Sequence, residues 1–270
     1  CTQDHLDFFA DMAAYATAKK KLFQGGRCLR SVINSDDALG REIARSAPSP
    51  STYGLQNPAD VFAVDVEESL DGVKFVLNLF DELYEIELCM TGMHNVYNAM
   101  AAATCARLFG VDIEVIARGL AQLKSVPGRL ERAGCYNGAH IFVDFAHTPD
   151  GLEKSLSSLK KLCKGKLYCL FGCGGNRDRS KRPLMGAVAA KYADFCIITS
   201  DNPRYEDPYD IIREIEEGVK PSGKAYVPVP DRETATAYAV NLLKEGDVLL
   251  VAGKGGENYQ EVMGIKHSYN

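Results

Sequence analysis

The chain has 270 residues, of which 46% are hydrophobic and 25% charged, and its formal net charge is −5. That length exceeds one ordinary domain, so two are expected, and the composition is that of a soluble protein with a full core. The negative balance argues against a general nucleic-acid binder, and no apolar run approaches the roughly 18 residues of a bilayer span, so neither nucleic acid nor membrane insertion is expected.

The nine cysteines include no Cys-x-x-Cys pair, and with five scattered histidines they assemble no zinc module by spacing. An odd, scattered set fits a reducing compartment, and a cytoplasmic location is expected. The sequence opens on Cys1-Thr-Gln-Asp-His5 without an initiator Met and reads as a piece of a longer polypeptide.

In chain order, Met12, Tyr15, Ala18 and Leu22 share one helical face, which predicts a helix over 11–22. A short strand at 31–34 and a small helix at 38–45 follow. From Thr52 to Leu88 apolar residues alternate with polar ones, as in Val73, Phe75, Leu77 and Leu79, and antiparallel hairpins are expected. A long Ala-rich helix opens near Thr91, with a second over 113–123. Ser125-Val-Pro-Gly128 is a break, which sets the expected domains at 1–127 and 128–270.

Beyond the break, strands at 140–145, 166–171, 195–199, 226–229 and 247–251 alternate with helices at 149–162, 184–192, 209–219 and 234–243. This is the pattern of a mainly parallel α/β sheet, whose ligands belong at the strand carboxyl ends. Four polar motifs fall at such ends: Asp144-Phe-Ala-His147, Gly172–Arg182, Asp201-Asn-Pro-Arg204 and Gly253-Lys-Gly-Gly-Glu257. In Gly172–Arg182, glycines let the backbone approach a ligand and Arg177, Arg179, Lys181 and Arg182 supply cations; a solvated charge run is the plainer reading. No Gly-Lys pair is followed by Ser or Thr, so no phosphate loop is present, and Arg177 stands where a dinucleotide fingerprint needs its third glycine. No Gly-x-Ser-x-Gly occurs, and Cys173 has no assignable His partner, which argues against a hydrolase.

Taken together, Thr2–Asp7, Ala18-Lys19, Asn34–Asp37, Gly92–Asn98, Gly128–Glu131, Val143–Asp150, Gly172–Asp178, Asp201–Arg204 and Ala252–Glu257 resemble the Mur ligases. The last three motifs resemble the branch that adds diaminopimelate. The resemblance implies an α/β fold: part of a central ATPase domain followed by a Rossmann-like C-terminal domain with a mainly parallel sheet. It begins partway through the central domain, so the UDP-binding domain and the phosphate loop are expected outside this chain, and the isolated fragment is expected to be inactive. The implied reaction joins meso-diaminopimelate to UDP-N-acetylmuramoyl-L-alanyl-D-glutamate through an acyl phosphate, with ATP as cosubstrate and Mg2+ as cofactor, in a monomeric enzyme.

By the same resemblance, His5 and a carbamylated Lys19 bind magnesium, since a carbamate offers the hard oxygen that this ion prefers. Asn95, Asn98, Arg129 and Asp144 border the nucleotide. Arg177, Asp201, Asn202, Pro203, Arg204, Gly253 and Glu257 form the amino-acid pocket, with Arg204 on the far carboxylate and Glu257 and the Gly253 carbonyl on an ammonium. Asn176 and Gly256 depart from the family pattern, which more often has Asp and His there. Each assignment has a structural counterpart: helix capping for the asparagines, a strand-end turn for Asp144, a linker charge for Arg129, a solvated helix face for Lys19 and a β-turn for Asp201–Arg204. The alternatives carried are a lysine-adding or folylpolyglutamate-type ligase, a non-catalytic amino-acid-binding module, and a nicotinamide dehydrogenase using the Gly172 turn.

Overall fold

The computed structural model of the chain describes residues 11–269. The chain divides into two compact units, Cys1–Lys124 and Ser125–Asn270, and an apolar core lies in each.

In the first unit, α1 (Met12–Lys20) is capped by Asp11, whose carboxylate accepts from Ala14 N at 2.8 Å. None of Met12, Tyr15, Ala18 and Leu22 is buried. β1 (Ser31–Asn34) and α2 (Ala38–Ala44) follow, with Asp37 capping α2 through Gly40 N. β2 (Pro50–Gly54), β3 (Val61–Ser69), β4 (Gly72–Leu79) and β5 (Glu82–Leu88) complete a sheet in the order β1-β2-β3-β4-β5.

The hairpin expectation holds for β3, β4 and β5, which pair antiparallel. It fails at the start of the stretch, because β2 runs parallel to both β1 and β3. Asp36 holds the chain where β2 ends. Its carboxylate accepts from the backbone N–H groups of Leu55, Gln56 and Asn57, from the Asn57 amide and from the Tyr97 hydroxyl. The chain after β2 is thereby wrapped around a fixed anion instead of turning directly into a hairpin. Burial acts to raise the Asp36 pKa, but these donors win and hold it well below the usual carboxylate range. Burial, followed by the Asp36 contact, pushes the Tyr97 hydroxyl up to about 12. α3 (Met93–Leu108) and α4 (Ile113–Gln122) complete the core, where Val96, Met100 and Ile116 join Phe75, Leu77 and Leu88.

The second unit is built on a six-stranded sheet of order β10-β9-β8-β11-β7-β6. Its strands are β6 (Glu131–Tyr136), β7 (Ala139–Asp144), β8 (Leu167–Phe171), β9 (Phe195–Ile198), β10 (Tyr226–Pro228) and β11 (Val248–Ala252). All neighbours are parallel except β6 and β7. Every residue of β8 and β11 is buried, as central parallel strands covered on both faces require.

The helices carry readable signals. α5 (Pro149–Leu162) has a Thr148 cap, Pro149 in its first turn and Leu152, Leu156 and Leu159 fully buried. α7 (Pro208–Val219) repeats the device with Asp207 and Pro208, and Asp231 caps α8 (Arg232–Leu242). α6 (Lys181–Tyr192) starts three residues earlier than expected, taking Lys181, Arg182 and Pro183 out of the supposed loop. Two features lacked a sequence signal. β6 and the hairpin of β12 (Tyr259–Val262) and β13 (Ile265–Ser268) contain no buried residue, so no apolar alternation marks them.

Candidate functional site

Because β7, β8, β9 and β11 run parallel, the four polar loops that follow them leave the same edge of the sheet. The Gly172 loop and the Asp201 loop are in direct backbone contact. A Cβ at Gly172 would lie 2.1 Å from the Thr199 carbonyl oxygen, and one at Gly175 only 1.9 Å from that of Pro203. Gly175 N also donates to the Asn202 carbonyl at 2.8 Å. These glycines therefore serve close approach of two protein strands rather than of a phosphate.

Arg182 fastens the same two loops. It is fully buried, and its guanidinium bonds Glu206 through both Nη atoms at 2.9 Å, Glu214 at 2.9 Å and the Gly174 carbonyl at 3.2 Å. Glu206 also accepts from Asn176 N, and its carboxyl is lowered from 4.5 to about 2, first by the Arg182 hydrogen bond. Asn176 has φ of 52°, a left-handed conformation that Asn tolerates, and its side-chain oxygen takes Tyr205 N at 3.0 Å. The solvated-run reading is thus wrong for Arg182. Arg177 and Arg179 are exposed as that reading expects; Arg179 pairs with Glu214, whereas Arg177 has no hydrogen-bond or ion-pair partner among the described residues.

Arg204, at φ 51°, is held at both main-chain and side-chain level. Its backbone bonds Glu261 and Met263, its Nε donates to Glu261 Oε2 at 3.2 Å, and Nη1 donates to the Gly175 carbonyl at 2.8 Å. Nη2 has no partner among the described residues, which leaves donors for an incoming carboxylate.

Asn202 is 5% exposed and lies at the centre of the cluster. Its Oδ1 accepts from Lys254 Nζ at 2.8 Å and Glu261 N at 2.9 Å, while Nδ2 donates to Glu257 Oε2 at 3.1 Å. The Asp201 carbonyl accepts from Gln260, and the preceding prolyl residue of Arg204, Pro203, is the one that Gly175 contacts. Gly253 has φ of 110°, and a Cβ there would meet Asp201 Oδ2 at 2.7 Å, so only glycine fits. Six of the seven expected pocket residues therefore belong to one connected network or its walls. Arg177 lies near it at Gly174, where an added Cβ would be 3.7 Å from the Arg177 side chain.

The residue that sequence reasoning missed is Lys254. Its side chain is 3% exposed, with Nζ 2.8 Å from Asn202 Oδ1 and from the Tyr259 carbonyl, 3.6 Å from Glu257 Oε2 and 4.0 Å from Asp201 Oδ1. Burial pulls its ammonium below the usual lysine range, opposed by Asp201 and Glu257. Its position in Gly253-Lys-Gly-Gly-Glu257, between two predicted ligand residues, was the available signal. Lys254 and Glu257 also line a cleft of about 240 Å³ together with Pro127, Arg129, Phe145 and Gly256.

Arg129 is exposed and stacks over Phe145, 5.2 Å from the ring centroid. Asp144 is buried, and its carboxylate accepts from Leu130 N at 2.5 Å, Ala146 N at 2.7 Å and Ser155 Oγ at 3.3 Å. Its backbone carbonyl takes Gly253 N and Gly255 N, tying the β7 loop to the β11 loop. In the first unit, Asn95 and Asn98 lie on one face of α3 and bond each other at 3.3 Å, with Asn95 also donating to the Thr91 carbonyl. Lys19 is exposed and sits over the Tyr15 ring at 5.3 Å, while His5 lies outside the described residues. Among the described residues no group of three or more His, Cys, Asp or Glu could hold a metal ion. Burial pushes the Cys173 thiol up to about 12, which removes it as a nucleophile.

A mainly parallel sheet with charged loops gathered at its carboxyl edge is the arrangement in which open α/β proteins place their ligand sites. Residues 1–106 match the Mur ligase middle domain, and residues 128–255 match the family described as Mur ligase, glutamate ligase domain. The chain belongs to the Mur ligases, whose members are ATP-dependent, amide-bond-forming enzymes. It is 45% identical over 266 residues to the UDP-N-acetylmuramoyl-L-alanyl-D-glutamate–2,6-diaminopimelate ligase of Syntrophomonas wolfei, covering 97% of this chain and 54% of that protein. Identity to the enzyme of that name from Clostridioides difficile is 40%, covering 100% and 56%. A solved structure of a ligase of that name, 37% identical, superposes with a TM-score of 0.68 over 100% of this chain and 56% of its own. A pseudomurein peptide ligase from Methanothermus fervidus shares the fold at a TM-score of 0.73 and 21% identity, over 94% of this chain and 59% of its own. The chain thus spans about half the length of the curated relatives it matches.

Proposed function

We propose that this chain is part of a ligase that joins meso-diaminopimelate to UDP-N-acetylmuramoyl-L-alanyl-D-glutamate, with ATP activating the glutamyl carboxylate as an acyl phosphate. The observation that carries the reading is the Asn202–Arg204–Glu257 cluster, in which the loop that bears a guanidinium with an open Nη2 is hydrogen-bonded through Asn202 to a carboxylate with an open oxygen. Diaminopimelate carries an amino-acid head at each end. Arg204 pairs with its far carboxylate, and Arg177 supplies a second cation at the rim. Glu257 and the Gly253 carbonyl take an ammonium, while Asp201, Asn202 and Pro203 form the wall. Holding the amino acid this way presents its other amine to the activated carboxyl group, and loss of translational freedom supplies part of the rate.

Arg129, stacked on Phe145, is assigned to the nucleotide, as are Asn95, Asn98 and Asp144, whose carboxylate also fixes Leu130 and Ala146. Magnesium, when bound, would neutralise transferring phosphate. His5 and a carbamylated Lys19 remain its assigned ligands. A cytoplasmic, monomeric enzyme is the accompanying expectation; among the described residues no helix is long and apolar enough to cross a membrane.

The test is ATP-dependent ligation by the longer protein that contains this chain, with diaminopimelate and lysine compared at equal concentration. Lysine lacks the far carboxylate and leaves the Arg204 donors unsatisfied, so it should be used at least 100-fold less well, roughly 3 kcal/mol.

A further inference from the structure

We propose that Lys254 is a positioning residue of the amino-acid pocket: it fixes the Asn202 side-chain amide and thereby the Glu257 carboxylate that receives the substrate ammonium. The inference rests on the amino-acid-ligase reading and deepens it.

A primary amide can be placed two ways round, and its neighbours decide which. At Asn202 the decision is clear. Lys254 Nζ and Glu261 N are both donors, and both meet the same atom, which must therefore be the oxygen. The amide nitrogen is then turned on Glu257 and occupies Oε2. Glu257 Oε1 has no partner among the described residues, and Glu257 lines the cleft. Glu261 N is fixed by the β12 backbone, but Lys254 Nζ is a side-chain donor on a four-carbon stem. Its own placement comes from the Tyr259 carbonyl at 2.8 Å and from burial to 3% exposure.

The ammonium also lies between Glu257 and Asp201, and so offsets the repulsion between two carboxylates at one pocket. Without it, the Asn202 oxygen keeps Glu261 N as its one donor, and the preference for this orientation of the amide is weakened. A flipped amide would set its oxygen against Glu257 Oε2. Glu257 would then leave the orientation in which one oxygen is reserved for ligand. The glycines on either side support this role, because Gly253 and Gly255 both take positive φ, at 110° and 50°, and are pinned to the Asp144 carbonyl. The backbone that carries Lys254 is therefore fixed before the side chain is placed.

The experiment uses the longer protein with K254M, K254Q and K254R, measuring kcat and KM separately for the amino acid, ATP and the UDP-linked dipeptide. The expected result is a KM for the amino acid raised about tenfold in K254M, with kcat and the other two KM values within about twofold. K254Q keeps an N–H donor and should recover part of the loss. Unchanged amino-acid KM in a K254M protein that melts with the wild type overturns the proposal. So does a uniform fall in all parameters that tracks a lowered melting temperature in all three variants, since that marks a purely structural lysine. Failure of the underlying reading is seen in the wild type instead: it would not use diaminopimelate, and the three variants would then be compared on the amino acid it does use.

Discussion

Two arginines in neighbouring loops show how little a side chain's type fixes its role. Arg182 is fully buried against Glu206 and Glu214, whereas Arg204 keeps Nη2 open beside Glu261. Replacing Arg182 by Met leaves Glu206 without its ion-pair partner and Glu214 with Arg179 alone, and should cost about 3 kcal/mol in denaturant unfolding of this chain. Arg204→Ala should leave the fold intact and raise the KM for diaminopimelate about 100-fold, with little effect on ATP. Arg204→Lys should rescue poorly, because a point charge cannot supply the fork. Glu206 gives a pH signature. Its carboxyl is lowered to about 2 in the folded chain, so its contribution is complete above pH 4.5 and is lost as pH falls toward 2. The stability difference between wild type and Glu206→Gln should therefore shrink across that window; a difference that grows as pH falls would contradict the Arg182 pairing. The role of Arg204 was legible in its motif, but the Arg182 pairing was not. Arg182 sits in a run of cations that reads as solvated, and its acidic partners lie 24 and 32 residues away.

At the scale of elements, periodicity and caps carried most of the information. α5 was found with its bounds because a Thr cap, a first-turn Pro and leucines at helical spacing all agree. β8 and β11 were found because central parallel strands are continuous apolar runs. The parallel setting of β2 was missed because nothing local announces it; the segment that follows β2 is held by the Asp36 carboxylate, 19 residues from Leu55. The glycine loop after β8 was read as approaching a ligand, and it approaches the Asp201 loop instead. Gly175→Ala tests that contact. Its Cβ would fall 1.9 Å from the Pro203 carbonyl oxygen, backbone that cannot rotate away. The substitution should lower the melting temperature by several degrees and weaken amino-acid binding together, on the order of 2 kcal/mol of stability. An alanine variant with unchanged melting would mean that the two loops are not held this closely.

At the scale of the whole molecule, the sheet edge rather than any single motif makes the case. Polar loops separated by 50 residues or more of sequence become neighbours because their strands are parallel, which is why Asn202 reaches Lys254 and Glu257. Linear motifs could nominate Asn202, Arg204 and Glu257, but only the fold shows that they form one hydrogen-bonded unit and adds Lys254 to it. The residues expected to bind magnesium stand differently, because His5 lies outside the described residues and Lys19 is exposed on α1. Recognition of a second amino-acid head rests on Arg204. The most direct measurement is the ratio of kcat/KM for meso-diaminopimelate to that for lysine in the longer protein, with wild type and Arg204→Ala side by side. The account predicts a ratio above 100 that falls toward one in the variant, through loss of diaminopimelate use. A wild type that uses lysine as well as diaminopimelate, or a ratio that Arg204→Ala leaves untouched, would contradict it.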